Sequence, residues 1–106
     1  MSDRVEAIRK MLAERPDDTF LIYSLGMELA SAGRFDEAVE QFQRCLELDS
    51  EYLPAHTELG KTFRSAGRLD EARQAFATGM QLAAEHGDSH LRDHLQQQLD
   101  SLPRSE

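Results

Sequence analysis

An eight-residue string recurs in this chain almost unchanged: Ser31 to Ala38 reads SAGRFDEA and Ser65 to Ala72 reads SAGRLDEA. Gly33 and Gly67 are therefore 67 − 33 = 34 residues apart. That period is the length of one helical hairpin in a stacked array, where each unit buries its apolar face against the next. Chains of this kind act through the surface they present rather than through a cleft of reactive groups.

At 106 residues the chain has room for one domain. Asp and Glu number 20 against 12 Lys and Arg, a formal charge of −8 that repels phosphate backbones and anionic lipid. Nucleic acid and membrane surfaces are therefore not expected partners. The N-terminal MSDRVEAIRKML mixes charge into its apolar positions, unlike a secretory leader, and no apolar run reaches membrane-spanning length. The lone Cys45 permits no internal disulfide, which agrees with a reducing compartment; cytoplasm is the expected location.

Ile22, Leu25 and Leu29, and then Val39, Phe42 and Leu46, recur at three- and four-residue steps that put each set on one face of a helix. Gly33 breaks the run between them, and Asp36 and Glu37 open the next helix, where negative charge complements the dipole. Gly67, Asp70 and Glu71 repeat this grammar. Upstream, Val5 to Glu14 is a further helix, with Asp3 and Glu6 as its expected capping box and Asp17 or Asp18 as the cap of the next. Downstream, His86-Gly87-Asp88-Ser89 reads as a stop followed by a start, and Leu91, Leu95, Leu99 and Leu102 form the apolar stripe of a last helix that is Gln-rich elsewhere. Gly26 and Gly60 stand mid-helix at one register, where Gly costs ~1 kcal/mol relative to Ala. Close approach of the paired helix, with Ala38 and Ala72 opposite, is the expected compensation.

On these residues the chain resembles the tetratricopeptide repeat family. Ile22-x-x-Leu25-Gly26-x-x-Leu29, Ala38-x-x-x-Phe42 and Ser50 fill the slots of one repeat, and His56-x-x-Leu59-Gly60-x-x-Phe63, Ala72-x-x-x-Phe76 and Ala84 those of a second. Ile22 and His56 stand where Trp is usual, Leu29 replaces Tyr, and Ser50 and Ala84 replace the closing Pro, which Pro16 supplies in the leading unit. The resemblance implies an all-α array of helical hairpins in a single domain: a half-repeat helix at 3–15, repeats at 17–50 and 51–86, and a capping helix at 88–102.

In such an array the first helix of each hairpin lines the concave face. Setting aside Leu21, Ile22, Leu25 and Leu29 as core leaves Phe20, Tyr23, Met27 and Ala30 on one stripe, with Pro54, Thr57, Lys61 and Arg64 as the stripe 34 residues on. The expected partner-binding residues are Phe20, Tyr23, Met27, Thr57, Lys61 and Arg64. Aromatic and Met side chains would anchor an apolar residue of a bound peptide or helix, and Lys61 with Arg64 would pair with its carboxylates. The bland alternative packs Phe20 and Tyr23 on the leading helix around Ile8 and Met11 and leaves both cations solvated. Some relatives clamp the acidic tails of heat-shock chaperones with Lys, Asn and Arg; this chain contains no Asn and only Lys61 and Arg64 resemble that set.

The favoured function is thus a non-catalytic module that binds a protein or peptide, needing no cofactor. A structural homodimer, completed at the open edge near the last helix, is the alternative, because arrays usually need three repeats for stability. A metal-responsive role is a third reading, since His90 and His94 are spaced to share an ion, with His86, Asp93 or Glu85 nearby. Cys45 takes a packing slot beside Phe42 and is expected to be inert core. Asp36, Glu37, Glu40, Glu47, Asp49 and Glu51 read as a solvated surface, not as a catalytic acid and base.

Overall fold

The computed structural model describes residues 3–103, and these form six α-helices without a strand among them. They are α1 (Asp3–Glu14), α2 (Thr19–Ser31), α3 (Phe35–Leu48), α4 (Leu53–Ser65), α5 (Leu69–Glu85) and α6 (Ser89–Asp100). Each helix packs along the one that follows it, so the chain builds a layered array of helical hairpins.

Local chemistry sets the helix ends. The Asp18 side chain accepts from the Leu21 amide at 3.1 Å and that of Asp88 from Leu91 at 3.0 Å, each satisfying a donor that the first turn leaves orphaned. Asp3 lies inside the first turn of α1 together with Glu6, not in front of it as expected; the position ahead, Ser2, is outside the described residues. Gly33 and Gly67 take φ of 76° and 78°, and the following amides, Arg34 and Arg68, reach back to the carbonyls of Leu29 and Phe63 at 2.9 and 2.8 Å. This left-handed closure turns the chain sharply enough for α3 and α5 to lie back on their partners. Gly87, φ 72°, ends α5 in the same way.

The core runs the length of the array. Leu25 and Leu29 of α2, Val39 and Phe42 of α3, Leu59 and Phe63 of α4, Phe76 of α5 and Leu95 of α6 form one cluster, all nearly or wholly buried. Val5 and Ile8 extend it to α1, and Leu102 closes it beyond α6. The mid-helix glycines have a sharper reason than small residues opposite. A Cβ built on Gly26 would stand 2.7 Å from Cε1 of Phe42, and one on Gly60 would stand 2.5 Å from the Phe76 ring. The nearest neighbours are thus aromatic rings one turn beyond Ala38 and Ala72. Each glycine makes a socket for a fully buried Phe, and packing the ring there offsets the helix-propensity cost.

Candidate functional site

The first helices of successive hairpins, α2 and α4, stand side by side with α6, and between them lies an open hollow of about 510 Å³. Its wall is made by Tyr23 of α2, by Leu53, Pro54, Thr57 and Glu58 of α4, and by Asp88, Leu91 and His94 at and beyond the start of α6. A smaller hollow of about 220 Å³ continues it along α2 and α4, with Met27, Ala30 and Lys61 on its rim and Glu58 shared between the two.

Tyr23 is held from behind. Its ring centroid is 5.9 Å from that of Phe42 and 5.5 Å from that of Tyr52, both tilted, which is a favourable aromatic geometry. Burial, and then the Glu58 carboxylate, raise its phenol above the ordinary value, so it meets the hollow as a neutral hydroxyl. The ring therefore belongs both to the core and to the wall, and the expected packing on Ile8 and Met11 is replaced by packing on α3 and the Asp49–Tyr52 turn.

The six sequence-derived residues do not act as one stripe. Tyr23 and Thr57 line the larger hollow, and Met27 and Lys61 the smaller. Phe20 lines neither and is 65% exposed at the start of α2. Arg64 turns towards α6, donating to Gln98 and standing 5.8 Å from the Phe76 ring centroid. Lys61 is 3.6 Å from Glu58 one turn earlier. Both cations thus have partners within the molecule, and the positive spot expected from spacing is largely neutralised.

Sequence reasoning missed the contribution of α6, which supplies the third wall. The signal was present: Leu91 lies 34 residues after Thr57, and Asp88 lies 34 after Pro54. The register then drifts, since Leu95, 34 after Lys61, is fully buried. The Gln-rich last helix is therefore both a cap and the first helix of a third structural layer.

Among the described residues no three His, Cys, Asp or Glu side chains come together to hold a metal ion. His86 is engaged by Glu51 at 2.7 Å, and His94 faces the hollow. Cys45 is fully buried, and burial, with Asp49 adding, pushes its thiol up to about 11; it stays protonated at neutral pH and lacks thiolate character. No helix among the described residues is long and apolar enough to cross a membrane.

The paired helices, the glycine sockets and the left-handed turns coincide with a family match. The tetratricopeptide repeat family model covers residues 29–99, well over half of the chain, and the chain belongs to that family. It is 39% identical over 57 residues to the TPR repeat-containing protein PA0015 of Pseudomonas aeruginosa, a stretch covering 54% of each, so the match spans about half of that relative's length. The solution structure of protein BPP2914 from Bordetella parapertussis superposes with a TM-score of 0.83 at 33% identity, covering 94% of this chain and 87% of that one. A tetratricopeptide repeat domain protein from Salinibacter ruber follows at 0.73 and 28%, covering 79% and 85%.

Proposed function

We propose that this chain is a non-catalytic protein-interaction module that holds a peptide or helix of a partner against the face made by α2, α4 and α6. The observation that supports it is the larger hollow: an open, largely apolar trough whose walls come from three helices and whose Tyr23 is already fixed by ring packing. A preformed trough binds without ordering itself, so a few anchoring side chains are enough for useful affinity. Tyr23, Leu53, Pro54 and Leu91 supply apolar anchorage, and Met27 extends it. Lys61 joins as a cation that exchanges Glu58 for a carboxylate of the ligand.

Filling the trough tests this without disturbing the rings behind it. Thr57→Trp places an indole in the hollow, and the variant is expected to lose a partner that wild type captures from a lysate. Arg73→Gln, on α5 and away from the trough, is expected to retain it. Equal capture by wild type and Thr57→Trp would move the binding surface off this face.

A further inference from the structure

The second helices of the hairpins are flanked unequally. α3 lies between α2 and α4, and α5 between α4 and α6, whereas α1 has one extensive neighbour, α2. One flank of α1 is open. Along it Arg4, Ala7, Met11 and Glu14 follow at steps of three, four and three, which places them on one stripe of the helix, and all four are exposed. Val5 and Ile8 face the core instead.

This stripe is its own complement when two copies run antiparallel. Arg4 of one copy then meets Glu14 of the other, Ala7 meets Met11, and the same two contacts recur in reverse order. Charge pairs close both ends of a short apolar seam. An antiparallel neighbour is also what α3 and α5 have on each flank, so the pairing repeats the geometry of the array. Arg4 is bonded to Glu28 of α2 at 3.1 Å yet its side chain stays 81% exposed, leaving the guanidinium open to a second carboxylate. That bond also fixes the register of α1 on α2, setting Phe20, eight residues before Glu28, level with Leu12, eight after Arg4. Phe20, at 65% exposure, and Met11, at 39%, are two of the three large exposed apolar side chains among the described residues. At the other end, the exposed residues of α6 include His90, Arg92, Asp93, Gln96 and Gln97, a polar surface with no comparable apolar seam.

We propose that the open flank of α1 docks on the same flank of a second copy of this chain, forming a two-fold symmetric dimer that leaves the α2–α4–α6 trough free. A two-fold contact requires one self-complementary patch, which this stripe provides. Twelve residues of helix span ~18 Å, a short seam, so association is reversible and concentration-dependent.

Sedimentation equilibrium of the whole chain, from micromolar to millimolar, tests this. The weight-average mass of wild type is expected to rise from 12.0 kDa towards twice that value. Met11→Glu, which puts a carboxylate in the seam, is expected to stay at the monomer mass throughout, with its helical circular dichroism intact because the position is exposed. Arg4→Glu and Glu14→Arg each oppose like charges and are expected to remain monomeric alone, while their equimolar mixture associates, because each variant then complements the other. A wild type that stays at 12.0 kDa throughout would overturn the proposal. Association unaffected by all three substitutions would also overturn it, by placing the contact elsewhere, and so would a mixture no more associated than its components.

Discussion

The two complete hairpins share one grammar and differ at their innermost contact. In the first, Ile22 of α2 and Cys45 of α3 are buried together in a small apolar cluster with Ala55. In the second, the residues 34 further on are His56 and Gly79, and a Cβ on Gly79 would lie 3.1 Å from Cβ of His56 and 3.2 Å from Leu95. A side chain of different shape on one helix is thus matched by a smaller residue on its partner. His56 also needs a polar partner, and the Ser50 carbonyl lies 2.9 Å from its Nε2. Thr62, likewise buried in α4, donates to the Glu58 carbonyl at 2.7 Å. The second hairpin buries polar groups where the first buries only apolar ones, and it does so because nearby backbone carbonyls satisfy them.

The largest predicted effects attack what the hairpins have in common. Gly26→Leu and Gly60→Leu drive side-chain atoms into buried Phe rings and are each expected to cost about 1–3 kcal/mol, with the tighter Gly60 site the worse of the two. Urea denaturation would show this, and wild-type midpoints for both variants would refute the socket. A smaller effect isolates the difference. Gly79→Cys is expected to destabilise the chain, and His56→Ile combined with Gly79→Cys to recover part of the loss. A double-mutant cycle should give a coupling of about 0.5–3 kcal/mol between the two sites, and additive losses would deny that they compensate.

The smallest effect concerns the turn arginines. Arg34 bonds Glu37 at 2.5 and 2.7 Å, and Arg68 bonds Glu71 at 2.7 and 2.9 Å. Those bonds hold both carboxyls below the ordinary glutamate value. A carboxyl whose folded pKa is lowered adds stability at neutral pH that is lost as pH falls through that lowered value. Arg68 further reaches Asp36 at 3.3 Å and stands 4.8 Å from the Phe63 ring centroid, tying the second hairpin to the first. Arg68→Gln is therefore expected to lower the melting temperature at neutral pH slightly more than Arg34→Gln. Both should flatten the acid limb of the curve, and unchanged acid limbs would show that these exposed pairs carry no measurable stability.

Much of this architecture was legible in the chain itself. The 34-residue period, the three- and four-residue apolar steps, and the turn glycines at 33, 67 and 87 specify helices, their order and their reversals, because helix periodicity and left-handed turns are local properties of neighbouring residues. The same period identified Tyr23, Met27, Thr57 and Lys61, which the structure places on the two adjoining hollows.

The sequence alone thus determined which residues repeat, which face of each helix is apolar, and that one hairpin is laid upon another. Only the tertiary structure decided what stands beside each residue across the array: Phe42 and Phe76 in the glycine sockets, Glu58 on Lys61, Gln98 on Arg64, and Leu91 and His94 in the trough. The reason is that a repeat fixes relations within one hairpin and to its copy, whereas α6 follows a longer α5 and departs from the period. The rotation that drift imposes cannot be assigned until the helices pack, and it decides which side chains from three separate segments share a surface.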